Sequence, residues 1–255
     1  MTPHAIAAAL VAAERDRAPI APFTRTQPFL SARTAYEAQS LFVEHRLTAG
    51  EQVVGAKLGL TSKVKRLALG IDQPIYGRLT SRMILPVGEP LRLDELIHPR
   101  AEPELAFVIG RRLDDTTDLA GALAAIDAVY PALEVVDSRY AESFRLPDSV
   151  ADNAGAARVV LGSQPRSPRD LVDLHVLGCV FHQGRTVYTA AGGAVMGHPA
   201  AALAWLANTL TAQGEHLEEG TIVLSGGLTA SVLLAPGVVA TAEFDGLDPV
   251  GIHCR

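Results

Sequence analysis

Glu102-Pro103-Glu104-Leu105-Ala106-Phe107-Val108 carries two carboxylates two residues apart. In an extended strand that spacing turns both acids to one face and Pro103, Leu105 and Phe107 to the other. A third acid, Glu134, interrupts the apolar run Pro131-Ala132-Leu133-Glu134-Val135-Val136, where a carboxylate without a partner is costly to bury. Three converging carboxylates repel one another and protonate unless a cation joins them, and an all-oxygen set suits a hard ion such as Mg²⁺ or Mn²⁺. Pairing of the same glutamates with Arg100, Arg139 or Lys57 at a sheet surface would leave the same pattern, so residue types alone keep both arrangements open. Lys57 is flanked on its own strand face by Gly55 and Gly59, which leaves room for a ligand unless the lysine is a solvated residue of an edge strand. Ser225-Gly226-Gly227-Leu228-Thr229 offers backbone N–H groups and two hydroxyls to a small anion, or forms an ordinary turn. His198, at the start of a helix, reads as a cap and not as a catalyst.

The elements that must position these residues follow from pattern and punctuation. Thr2 as N-cap with Pro3 at the first helical position opens a helix that Pro19 and Pro22 close, and a second helix runs from about Ser31 to Ala49. Val53–Leu60 is a short β-type run, followed by a polar helix start at Thr61-Ser62 and a turn at Asp72-Gln73-Pro74. Further strands are expected at Pro103–Ile109, Leu133–Val136, Arg158–Leu161, His175–His182, Thr186–Thr189, Ile222–Leu224 and Val238–Phe244, with a hairpin turn at Gln183-Gly184. Helices are expected at Asp118–Val129 and His198–Gln213. This irregular order lacks strict βαβα alternation and points to an α+β protein with a helical N-terminal part and a β-rich C-terminal body.

The 255 residues are 48% hydrophobic and 20% charged, the composition of a packed globular protein. A net charge of -6 without a Lys/Arg-rich block supplies no footprint for nucleic acid or an anionic membrane. The apolar run Ala5–Ala13 is too short to span a bilayer and lacks a basic leader, so a signal or anchor is not expected. Two distant cysteines, Cys179 and Cys254, fit a reducing cytoplasm. GxGxxG, Walker A, HExxH and GxSxG motifs are all absent, which removes the main support for dinucleotide and serine-hydrolase chemistry.

Taken in order, Val54–Ser62, Asp72-Gln73-Pro74-Ile75-Tyr76-Gly77, His98–Glu104, Pro131–Tyr140, Val150–Ala154, Gly197-His198-Pro199 and Ser225–Thr229 resemble the 2-keto-4-pentenoate hydratase / 4-oxalocrotonate decarboxylase family of the fumarylacetoacetate hydrolase superfamily. The resemblance covers nearly the whole chain. It implies a fumarylacetoacetate hydrolase-like α+β fold, with residues 1–80 an N-terminal α/β region contributing Lys57 and residues 81–255 the catalytic domain. It implies that Glu102, Glu104 and Glu134 bind one Mg²⁺ or Mn²⁺, that Lys57 is catalytic, and that Leu60, Ile75, Asn153, Ser225, Gly226, Gly227 and Thr229 contact a small 2-oxo acid. A homo-oligomer is expected, in some pathways complexed with the pathway hydratase; a folded, non-catalytic partner subunit is the alternative that the intact Glu102, Glu104, Glu134 and Lys57 argue against. The family usually has Ser after Asp-Asn-Ala, where this chain has Gly155, so any hydroxyl contact from that position is lost.

Two reactions share this electron sink. In 2-oxohex-3-enedioate, loss of the distal carboxylate as CO₂ sends electrons through the alkene into a polarised 2-oxo group, giving 2-hydroxypenta-2,4-dienoate. The hydratase instead adds water to that dienol at C4, which calls for an acid–base group at the far end of the substrate. Hydratases of this family carry Asp in the segment Gln/Glu-Pro-Asp-aromatic-Gly, where this chain has Ile75 in Pro74-Ile75-Tyr76-Gly77, as decarboxylases commonly do. An apolar residue suits CO₂ loss, because a desolvated carboxylate is more readily converted to a neutral product. The resemblance therefore implies a decarboxylase first and a hydratase second.

Overall fold

The N-terminal helices start where the capping chemistry places them. The Thr2 hydroxyl accepts from Ala5 N–H ahead of α1 (Pro3–Asp16), and Ser31 caps α2 (Ala32–Thr48) through Thr34 N–H. Their apolar faces, led by Ile6, Leu10, Ala38 and Phe42, pack together with Ile75, Tyr140, Val150 and Ala154. The computed structural model describes residues 1–255.

The chain continues through β1 (Val53–Gly59), α3 (Lys63–Leu69), β2 (Ile75–Thr80), β3 (Arg100–Ile109), α4 (Leu119–Ala124), β4 (Ile126–Val136), α5 (Leu146–Ala151), β5 (Ala156–Leu161), β6 (Gly178–Gln183), β7 (Thr186–Ala191), α6 (Pro199–Thr211), β8 (Ile222–Leu224), β9 (Val232–Leu233), β10 (Val239–Phe244) and β11 (Leu247–His253). A mixed seven-stranded sheet has the order β2-β1-β8-β3-β4-β5, with β9 added to β3, and β1 and β8 are its parallel pair. A second, four-stranded antiparallel sheet has the order β11-β10-β6-β7. The main core lies between one face of the large sheet, the second sheet and α6, with Leu105, Phe107, Leu133 and Val135 meeting Phe181, Ala242, Ile252 and Leu203. The opposite face of the large sheet carries a smaller cluster of Leu79, Met83, Ala106, Ala132, Val159 and Leu224. No helix is long and apolar enough to cross a membrane, and both cysteines are free and buried.

This is the α+β architecture expected, with differences of detail. The helix expected at Asp118–Val129 ends at Ala124, because the β-branched and aromatic run from Ile126 pairs with β3 from Ile109 back to Arg100. Ile75–Thr80, assigned no element from the sequence, is a strand beside β1, and Leu247–His253 is a strand the alternation did not reveal. The two glycines beside Lys57 do not open space for a ligand. A side chain at Gly55 would overlap the Ile222 carbonyl of the adjacent parallel strand, and one at Gly59 would meet the Ile75 side chain at 3.1 Å.

Candidate metal and substrate site

Register brings the three glutamates together. Glu102 lies directly opposite Glu134 in the β3–β4 ladder, and Glu104 is one step further along the same face. One ligand oxygen from each of the three lies within 4.8 Å of the others, the only such group of acids, histidines or cysteines in the chain. Glu104 and Glu134 are 0% exposed, and Glu102 is half-buried. Lys57 reaches this face through two ladders, since it pairs with Leu224 of β8, which pairs with Ala106 of β3.

The lysine is 3% exposed and is not a residue of an edge strand: β1 lies between β2 and β8. Its ammonium is 3.0 Å from Glu134 Oε2 and donates to the Ala154 carbonyl at 3.0 Å. Burial alone would lower the Lys57 pKa, but Glu134, Glu104 and Glu102 together raise it, so the side chain stays charged. Burial, then mutual repulsion with Glu134, pushes the Glu104 carboxyl well above its ordinary range, and burial raises Glu134 against the pull of Lys57.

The loop after β8 folds over these acids. Gly226 N–H donates to Glu104 Oε2 at 2.7 Å, so this backbone donor is engaged by the protein's own carboxylate. Gly227 passes so close to Glu102 that a Cβ there would be 2.5 Å from its Oε2. Ser225 Oγ is buried without a hydrogen-bond partner, whereas the Thr229 hydroxyl is turned away, donating to the Ala230 carbonyl at 3.0 Å. Thr61, which the sequence marked only as part of a helix start, is buried against Gly226.

Asn153 is brought near the lysine, and each end of its side-chain amide bonds the backbone of β2. Its Oδ1 accepts from Arg78 N–H at 2.7 Å and its Nδ2 donates to the Arg78 carbonyl at 2.8 Å, so both ends of the amide are committed to the β2 backbone. It holds the tight turn Asn153–Gly155, in which Asn153 and Ala154 both have φ of 52° and which delivers the Ala154 carbonyl to Lys57. Gly77 makes the approach possible, since a Cβ there would overlap the Asn153 carbonyl. Behind the turn, the fully buried Arg139 holds Asp152 through Nε–Oδ1 at 2.6 Å, a pair that the sequence does not single out.

Leu60 and Ile75 line the inner part of a cleft of about 890 Å³, whose walls also include Tyr36, Phe144, Leu146 and Trp205. Ile75 is 4% exposed and packs beside Gly59 and Ala154, two neighbours of the Lys57 environment. The carboxylates are not among the residues lining this cleft; Ala154, which packs in one apolar cluster with Leu60 and Ile75, accepts from Lys57 through its carbonyl.

The arrangement fits a divalent cation. Three carboxylates and one ammonium sum to −2, and Glu104 Oε1 and Glu134 Oε1 are buried without a hydrogen-bond partner. Such orphaned anionic oxygens are expensive without a cation to meet them.

Residues 53–251 match the fumarylacetoacetate (FAA) hydrolase C-terminal family. The chain is 40% identical over 247 residues, 96% of its length and 91% of the relative's, to a 2-keto-4-pentenoate hydratase of Paraburkholderia xenovorans LB400. It is also 40% identical over 238 residues, 92% of its length and 90% of the relative's, to a 4-oxalocrotonate decarboxylase of Pseudomonas sp. CF600. A solved structure of 4-oxalocrotonate decarboxylase from Pseudomonas putida G7, complexed with magnesium and adipate, superposes with a TM-score of 0.95 at 36% identity, covering 99% of this chain and 97% of that one. Sequence, fold and acidic cluster agree: the chain belongs to the fumarylacetoacetate hydrolase family, in its lyase group of 2-keto-4-pentenoate hydratases and 4-oxalocrotonate decarboxylases.

Proposed function

We propose that the protein is a Mg²⁺- or Mn²⁺-dependent 4-oxalocrotonate decarboxylase of aromatic meta-cleavage catabolism, converting 2-oxohex-3-enedioate to CO₂ and 2-hydroxypenta-2,4-dienoate. The observation that carries this reading is Ile75: a buried branched alkyl group lines the inner cleft at the position where hydratases of the family place a carboxylate. The solved decarboxylase relative that binds magnesium and adipate, a six-carbon dicarboxylate, supports both the metal and the substrate class. The equal identity to a hydratase makes 2-hydroxypenta-2,4-dienoate hydration the second reading.

Glu102, Glu104 and Glu134 would hold the cation, which when bound polarises the 2-oxo group and stabilises negative charge developing on that oxygen. Glu104 is kept in position by Gly226 N–H, and Glu134 by the Lys57 ammonium. Of the three N–H groups of Lys57, one is aimed at Glu134 and one at the Ala154 carbonyl, which leaves one for the substrate's 2-oxo acid end. Leu60 and Ile75 surround the far end with hydrocarbon and exclude water there. As the C5–C6 bond breaks, its electron pair becomes the C4=C5 bond, the C3=C4 pair moves to C2=C3, and the 2-oxygen takes up the charge and then a proton. A carboxylate stripped of water gains from becoming CO₂, so the apolar wall favours this step and offers no base for activating water at C4.

The test is parallel incubation with the two substrates in Mg²⁺, following loss of each chromophore. Turnover of the dioate with little turnover of the dienol is expected. Rapid conversion of the dienol to 4-hydroxy-2-oxopentanoate, with the dioate untouched, promotes the hydratase.

A further inference from the structure

The far carboxylate of a dioate needs a partner before it reaches hydrocarbon, and the cleft offers one cation. Among its lining residues Arg145 is the only basic side chain, and Asp72, also exposed, is the only acidic one. The Arg145 guanidinium makes no ion pair and no hydrogen bond within the chain; only its backbone N–H is engaged, donating to Asp148 Oδ2 at 3.0 Å. Asp148 is itself fully buried and accepts from Thr24 through both backbone and hydroxyl, so the arginine springs from a fixed base while its charge stays free.

Position supports a role at the far end of the substrate. Arg145 immediately precedes α5, and the Asn153–Gly155 turn that binds Lys57 immediately follows it. A helix of six residues is roughly 9 Å long. The two ends of α5 are therefore separated on the scale of a six-carbon dioate, with Lys57 at one end and a long, free guanidinium at the other. We propose that Arg145 receives the substrate's distal carboxylate at the cleft rim and so makes the cleft select dicarboxylates over monocarboxylates. This rests on the decarboxylase reading and adds the specificity-determining residue to it. The product has lost that carboxylate, so Arg145 holds the substrate and releases the product. A cation that holds the carboxylate equally in the bound substrate and in the transition state supplies uniform binding, and its contribution belongs in KM and not in kcat.

The experiment measures binding of adipate and of pentanoate to the full chain in Mg²⁺ by calorimetry, for wild type, Arg145→Gln and Arg145→Lys. Wild type is expected to prefer adipate by roughly fivefold, the scale of an exposed charge pair. Added salt erodes that preference. Arg145→Gln abolishes it, Arg145→Lys restores most of it, and pentanoate binds all three proteins alike. With 2-oxohex-3-enedioate, KM rises by about the same factor in Arg145→Gln while kcat shifts by less than about twofold. An adipate preference that survives Arg145→Gln, or that wild type lacks, overturns the assignment. An Arg145-dependent preference in a wild-type protein that releases no CO₂ from the dioate keeps this assignment and overturns the decarboxylase reading instead.

Discussion

Glu104 has one oxygen on the Gly226 N–H and the other buried with no partner, an arrangement that a cation stabilises and solvent cannot. Glu104→Gln keeps the shape and removes the charge. It is expected to weaken Mg²⁺ binding at least tenfold and abolish most turnover, while the metal-free protein keeps or gains stability because repulsion with Glu134 is relieved; Mg²⁺ titration and thermal melts in EDTA check both halves. The raised pKa values of Glu104 and Glu134 carry a pH signature. Their folded-state values exceed the unfolded ones, so above the ordinary carboxylate range the folded state binds more protons, and the stability of the metal-free protein falls as pH rises from there toward neutrality. Mg²⁺ opposes that fall by replacing the protons, so melting curves across this range diverge between EDTA and Mg²⁺; superimposable profiles would remove the cation from the account. At Ile75 the expected effect is on chemistry: Ile75→Asp puts a charge beside the departing carboxylate and retains water there, lowering kcat for the dioate at least tenfold, about 1.4 kcal/mol. Steady-state kinetics at saturating substrate reads this directly.

At the scale of elements, the site is a product of register. Period-two alternation made Glu102 and Glu104 legible as a pair, and Glu134 stood out because a charge broke an apolar run, but only the β3–β4 pairing places Glu134 opposite Glu102. Lys57 could be read as unusual, yet its partners could not. They come from β4 and from a turn nearly a hundred residues away, and the glycines beside it accommodate Ile222 and Ile75 instead of a ligand. Asn153 shows the same limit, because its structural role of bonding the Arg78 backbone at both ends of its amide depends on a strand more than seventy residues earlier. That turn is now testable. Asn153→Ala leaves Arg78 N–H and C=O without their partners and is expected to cost about 2 kcal/mol of stability, measured by chemical denaturation, together with a loss of turnover as the Ala154 carbonyl leaves Lys57.

Over the whole molecule, two sheets and the N-terminal helices divide the labour. The face of the large sheet toward the second sheet and α6 is apolar core, and its other face carries the charged cluster, with α1 and α2 packed behind the Asn153–Gly155 turn and one wall of the cleft. The α+β class and most strands were visible because alternation and turn residues are local signals. The strand at Ile75–Thr80 was hidden because its partner β1 and the turn lying against Gly77 are what give it meaning. On the proposed decarboxylase reading, the acidic cluster would hold the metal at one end and the apolar wall at Leu60 and Ile75 would exclude water at the other, which is the requirement for breaking a carbon–carbon bond without hydrating the product. The most direct measurement is the fate of C6 in 2-oxohex-3-enedioate labelled at that carbon and incubated with the Mg²⁺-loaded protein. One labelled CO₂ released per dioate consumed, with 2-hydroxypenta-2,4-dienoate accumulating, is the expected result; retention of the label, together with rapid hydration of added 2-hydroxypenta-2,4-dienoate to 4-hydroxy-2-oxopentanoate, would contradict it.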